Sequence, residues 1–145
     1  MQAAIGLAQL SKLPGFIEKR RSNFNKLLEV LSQYSKYFTF SKAEKGSEPC
    51  WFGFTIVVDT QAPFSKLELV EFLELKKIGT RSLFAGNLLK HPAYKGRTDI
   101  RVSGSLSNSD LLMENAFWIG VYPGLTDEMI VYILSVFGEF LAPFK

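Results

Sequence analysis

Apolar residues run almost unbroken through Trp51–Asp59 (WFGFTIVVD), and both alternating sets within it are apolar. Phe52, Phe54, Ile56 and Val58 point to one side of an extended chain, and Trp51, Gly53, Thr55 and Val57 to the other. A strand of that kind is expected at the centre of a sheet with cover on both faces. Ala116–Tyr122 (AFWIGVY) repeats the pattern and predicts another central strand, and Thr80–Phe84 (TRSLF) predicts a short one. Tyr37–Phe40 (YFTF) reads as an edge strand or an extended lead-in.

Helical spacing occupies most of the rest. Met1–Leu13 is a helix with Ile5, Leu7, Leu10 and Leu13 on more than one face, so it expects cover on several sides. Pro14-Gly15 interrupts it, and Pro14 either kinks the helix or opens a new one in its first turn. In Phe16–Tyr34 the apolar residues Phe24, Leu27, Leu28, Leu31 and Tyr34 recur every three or four positions. Ser65 and Glu68 form a capping box with Phe64 and Leu69 as its staple, and the helix they start runs to about Lys77. Gly79 is the expected stop, and Leu73 and Ile78 should face the sheet. Ser107–Asp110 has the form of a second capping box before a short helix. Thr126 caps the last helix, whose stripe runs from Met129 and Ile130 to Phe140 and Leu141.

Strands joined by a helix run parallel through a right-handed crossover. The third central strand then fits most simply between the first two, antiparallel to both. The expected architecture is α+β: a small three- to four-stranded, mainly antiparallel sheet with helices packed on it, a ferredoxin-like half. A helical segment, 1–36, precedes a small α+β domain, 37–145.

Composition narrows the function classes more than it selects one. Hydrophobic residues make up 47% of the 145, with thirteen Phe, which excludes a disordered chain. The net charge of +3 comes from scattered Lys and Arg, so no nucleic-acid partner is expected. No membrane span or secretion signal is legible, and a cytoplasmic location is the expectation. The single cysteine, Cys50, excludes an intrachain disulfide, and its place beside Trp51 suggests a part-buried packing residue. No phosphate-cradling glycine loop, paired metal-binding histidines or serine elbow occurs. The segment Ala85–Gly104 lacks regular periodicity but carries an Asn, a His, a Tyr and two Arg, which favours function over disorder.

Four stretches go further: MQAAIGLAQLSKLPGFIEKRR, CWFGFTIVV, IGTRSLFAGNLLKHPAY and FWIGVYPGLTDEM. In that order they resemble the C-terminal, small-domain part of the sugar-nucleotide aminotransferase/dehydratase family of fold-type I pyridoxal-phosphate enzymes. Within it they look most like the CDP-4-keto-6-deoxyglucose 3-dehydrase branch of lipopolysaccharide biosynthesis. The resemblance implies a cofactor, pyridoxal or pyridoxamine phosphate, held by a large domain whose working lysine or histidine lies upstream of the AAIGLAQL helix. On that reading this chain binds no cofactor alone, is inactive alone, and self-associates as a homodimer through apolar surface that a large domain would cover.

The resemblance also places Gly79–Tyr94 on the nucleotide-sugar side. Arg81 would offer a fork for phosphate or carboxylate. Asn87, His91, Tyr94 and Tyr122 would bond the sugar. The residues allow plainer roles: Arg81 pairing with Glu68 or Asp59, Asn87 capping its own turn, Tyr94 and Tyr122 packing, and His91 at the surface. A free-standing ligand- or RNA-binding module is the competing reading, with Trp51, Phe52 and Trp118 as its aromatic surface. Covered strands would argue against it.

Overall fold

The computed structural model describes residues 2–144. Five helices and four strands follow one another as α1 (Gln2–Leu10), α2 (Leu13–Leu31), β1 (Phe38–Phe40), β2 (Gly53–Val58), α3 (Lys66–Leu75), β3 (Thr80–Ser82), α4 (Ser107–Asn115), β4 (Ala116–Gly120) and α5 (Asp127–Leu141). The sheet order is β1-β2-β4-β3 and every neighbouring pair is antiparallel. The two strands joined by α3 therefore run parallel to each other with β4 between them, as the apolar runs suggested, and β1 adds an edge.

One face of the sheet is closed. Phe54, Ile56 and Val58 of β2 and Phe117 and Ile119 of β4 are buried there. Above them lie Phe24, Leu27 and Leu31 of α2, Leu69 and Leu73 of α3, and Ile130, Ile133 and Phe137 of α5. Each such side chain contributes about 1.5–3 kcal/mol when fully buried. The capping box holds: the Ser65 hydroxyl accepts the Glu68 N–H, and the Glu68 carboxylate accepts the Ser65 N–H at 2.7 Å. Its staple residues Phe64 and Leu69 are both in the core. Thr126 caps α5 by accepting the Met129 N–H.

Five expectations need correction. The other face, with Thr55, Val57, Trp118 and Arg81, is only partly covered, because α4 is the one helix that reaches it. Phe52 and Trp51 are exchanged relative to strict alternation. A bend at Phe52 turns Trp51 onto the closed face, where it stacks on Phe24 at 4.5 Å, and sends Phe52 to the open face. Helix α3 ends at Leu75 rather than at about Lys77, and the left-handed residue that ends it is Lys77 (φ 64), not Gly79. Helix α4 lacks the expected box: Leu106 stands at its cap position, and Ser105 Oγ accepts the Ser107 N–H instead. Cys50 is exposed, because the segment before β2 runs along the surface.

Pro14 starts α2 in its first turn, leaving α1 as a separate helix with no buried residue. Its Ile5, Leu7 and Leu10 are all more than half exposed. No helix among the described residues is long and apolar enough to cross a membrane.

Candidate substrate-facing surface

The long segment after β3 is built, not loose. At Leu83 the chain doubles back in a three-residue turn, with the Phe84 N–H donating to Ser82 O at 2.8 Å. Phe84 sits in the left-handed region (φ 47), which costs a residue with a Cβ about 1–2 kcal/mol. Gly86 follows, also left-handed (φ 60), with its backbone against Met113 of α4. A Cβ there would lie 2.5 Å from Met113 Cβ, so glycine is required by both conformation and space.

Asn87 then does two jobs. Its carbonyl oxygen accepts the Leu89 N–H and starts a short 3-10 turn over Leu88–Lys90, while its amide donates to Asp110 at 2.7 Å. Lys90 pairs with Asp110 at 3.0 Å and Glu114 at 2.9 Å, tying the loop to α4. The Asn87 amide and the Lys90 ammonium hold the Asp110 carboxyl below the usual aspartate range, and the two carboxylates raise Lys90. His91 Nε2 lies 2.5 Å from Ala85 O, closing the turn, and Tyr94 N–H donates to His91 O. Gly86–Leu89 and the returning strand of chain Ile100–Ser103 line a cleft of about 280 Å³, with Arg101 on its wall. Arg97, the segment's other arginine, is spent on Asp99.

The structure therefore brings Asn87, His91 and Tyr94 together in one loop, with the first two used to shape it and Tyr94 exposed. Arg81 lies on the β3 edge and pairs with neither Glu68 nor Asp59. Its guanidinium donates to Thr80 O at 2.7 Å and lines a 450 Å³ groove with Lys66 and Leu67. The nearby Glu74 carboxylate is held low chiefly by the Thr80 N–H and hydroxyl, with Arg81 adding a smaller pull. Tyr122 is elsewhere. It stands beyond the far end of β4, in a 400 Å³ groove with Lys77, Gly79, Met129 and Tyr132. Buried Asn23 of α2 holds that turn, donating to Tyr122 O at 3.0 Å.

Three aromatic residues stand on the open sheet face: Phe52 and Trp118, which the competing binding-module reading had named, and Phe84, which no reading singled out. Trp118 is half-buried in the sheet, Phe52 meets its ring edge-on at 5.1 Å, and Phe84 lies 6.5 Å from Phe52. Phe84 is 76% exposed and Phe52 53%. For Phe84 the local signal was its place immediately before Ala85-Gly86, where a turn with left-handed residues presents it outward.

The residues here do not by themselves fit pyridoxal phosphate. Of the lysines beside this surface, Lys66 and Lys90 are engaged, while Lys95 of the loop and Lys77 of the Tyr122 groove are exposed. Lys66 donates to Met113 O at 2.8 Å, and burial lowers its pKa; Lys90 is doubly paired. Neither faces an enclosed pocket with a phosphate cradle. No cluster of His, Cys, Asp or Glu able to hold a metal occurs among the described residues.

The fold is thus a small α+β domain: a four-stranded β1-β2-β4-β3 sheet with helices on one face and a pinned loop against the other. Residues 1–137 match the model of one family, and the chain belongs to it: the DegT/DnrJ/EryC1/StrS aminotransferase family. It is 46% identical over 140 residues to the lipopolysaccharide biosynthesis protein RfbH of Salmonella typhimurium, covering 97% of this chain and 32% of that protein. It is 44% identical over 142 residues to dTDP-4-dehydro-2,6-dideoxy-D-glucose 3-dehydratase of Saccharopolyspora spinosa, covering 98% and 30%. The E. coli GDP-4-keto-6-deoxy-D-mannose-3-dehydratase, solved with bound hydrated PLP, superposes with a TM-score of 0.81 at 29% identity, over 92% of this chain and 33% of that one. The chain thus spans about a third of the length of the relatives it matches.

Proposed function

We propose that this chain is the substrate-facing small domain of a pyridoxal- or pyridoxamine-phosphate-dependent sugar-nucleotide 3-dehydrase in deoxysugar and lipopolysaccharide biosynthesis. The observation that carries the reading is the match at 46% and 44% identity, end to end over this chain, to one third of proteins with those roles. The two 3-dehydratases named above act on nucleoside-diphosphate-linked ketosugars. The shared substrate chemistry is thus a diphosphate, a base and a keto sugar. The cofactor supplies an electron sink for loss of the sugar hydroxyl next to the ketone. This chain's part is to bind and orient the nucleotide sugar with the Ala85–Tyr94 loop and Arg81. The groups that hold the cofactor belong to polypeptide outside these residues.

Complementation tests this. The chain is expressed together with the remaining two thirds of the Salmonella relative, and the mixture is given pyridoxamine phosphate and a CDP-linked 4-keto-6-deoxysugar. Sugar dehydration should appear in the pair and in neither part alone. Asn87→Ala in the chain should raise KM more than it lowers kcat. Turnover by this chain alone, or stoichiometric binding of pyridoxamine phosphate to it, would overturn the reading. Amino transfer from glutamate in place of dehydration would put it in the aminotransferase branch.

A further inference from the structure

We propose that Glu74 and Arg81 close the outer edge of β3 to a further strand, and that the strand they exclude is β3 of a second copy of this chain. The inference is independent of the sugar-nucleotide reading and concerns how this sheet meets other chains.

β3 is the outer strand of the sheet, so half of its backbone groups face away from β4. The register says which half. Val121 N–H donates to Phe52 O, which turns the backbone groups of Ile119 and Phe117 toward β2 and those of Trp118 toward β3. Arg81 stands opposite Trp118 and spends its N–H and C=O there, so Thr80 and Ser82 turn theirs outward. The chain itself takes three of those four outward groups. The Glu74 carboxylate accepts the Thr80 N–H at 2.5 Å and the Thr80 hydroxyl at 2.8 Å. The Arg81 guanidinium donates to Thr80 O at 2.7 Å, and the Phe84 N–H donates to Ser82 O at 2.8 Å. A carboxylate and a guanidinium thus stand where a neighbouring strand would bring a C=O and an N–H. The Ser82 N–H has no acceptor among the described residues.

Glu74 is otherwise badly placed. It lies in the last turn of α3, where the helix dipole disfavours an anion. The end of the helix aims it: left-handed Lys77 donates its N–H to Glu74 O and Ile78 donates to Leu73 O, a Schellman closure that turns the chain straight into β3. Beside the edge runs the groove lined by Leu67, Val70 and Phe117, with Leu67 61% exposed. An incoming strand would find backbone partners and apolar cover together, the combination by which sheets join edge to edge. Two copies pairing β3 to β3 across a twofold axis need the Thr80 groups free.

The unsubstituted chain tests the cap, because Thr80 and Ser82 are two outward amides of one strand, the first capped and the second not. Hydrogen exchange at Thr80, corrected for intrinsic rates, should be slower than at Ser82 by about tenfold or more. Equal protection overturns the proposal. Glu74→Ala should speed Thr80 exchange by about tenfold or more, whereas Glu74→Gln keeps an acceptor oxygen and should retain most of the protection. Exchange unchanged in Glu74→Ala, or as fast in the Gln variant as in the Ala variant, overturns it too. Sedimentation then reads the consequence, in a chain carrying Ile5→Lys and Leu10→Lys so that the apolar face of α1 takes no part. In that background Glu74→Ala with Arg81→Ala should self-associate at concentrations about tenfold lower or more. Ser82→Pro removes the outward N–H without touching a bond to β4, and should undo the association. No change in sedimentation up to about 1 mM chain overturns the proposal, as does association that Ser82→Pro leaves intact.

Discussion

Replacing Gly86 with alanine should destabilise the fold through two separable costs. Gly86 has φ 60, and placing an L-residue there costs about 1–2 kcal/mol. The new Cβ would also meet Met113 Cβ at 2.5 Å, Cγ at 2.7 Å and Cα at 3.0 Å. A side-chain rotation can move Cγ away but not Cβ or Cα, so α4 itself must shift. Overpacking of that kind costs about 1–3 kcal/mol. The sum, about 2–5 kcal/mol, is a large share of the ~5–15 kcal/mol that holds a typical domain. Gly46→Ala is the control: φ is 83 there and nothing lies within 4 Å, so only the conformational cost applies. Urea unfolding followed by tryptophan fluorescence gives both values, and amide exchange at Asn87–His91 reports whether the loop detaches from α4. Equal destabilisation in the two variants, within about 0.5 kcal/mol, with unchanged exchange in the loop, would refute the packing argument.

Ser65→Ala should cost about 1 kcal/mol by removing the α3 cap, read as a lower urea midpoint; a change within error would mean that the staple alone holds the turn. The Ser65 N–H and hydroxyl hold Glu68 below its usual value, and Asn87 and Lys90 do the same for Asp110. Groups lowered in the folded state stabilise above their unfolded pKa and lose that contribution as pH falls through the folded one. Urea midpoints should therefore be flat near neutrality and fall below about pH 4, and Asp110→Asn should flatten part of that fall. The chain should sediment as a dimer or larger, because α1 leaves Ile5, Leu7 and Leu10 exposed, and Ile5→Lys with Leu10→Lys should return it to monomer. A sharp wild-type monomer at high concentration would count against the expected homodimer.

Signals that act over a few residues were legible. The Ser65 box, the Thr126 cap and the α5 stripe depend on spacing alone, and each stands where spacing put it, save that Met129 at the head of the stripe is exposed. The place of β4 between β2 and β3 was the simplest fit once those two, joined by a helix, were taken as parallel. What failed depended on non-local contacts. The bend at Phe52 reverses two side chains that strict alternation would assign the other way. Lys77 carries a left-handed conformation that residue preference awards to Gly79. At the surface, residue type identified Asn87 and His91 as special but not their use in holding the loop, because Asp110 and Ala85 are brought to them only by folding. Phe84 was invisible as a presented side chain because nothing in an isolated Phe announces a positive φ.

The middle of this sheet is made last. β4 must pair residues 116–120 with residues 53–57 on one side and residues 80–82 on the other. During synthesis β2 and β3 leave the ribosome well before it, β2 with β1 on one edge and unpaired N–H and C=O groups on the other, and β3 with no strand on either edge. Contacts so distant in sequence make for slow closure, and bare apolar strands invite pairing with other chains meanwhile. Expression yield and inclusion-body formation should thus depend on how quickly β4 inserts, and respond to cooling or chaperone supply more than to changes in the finished core.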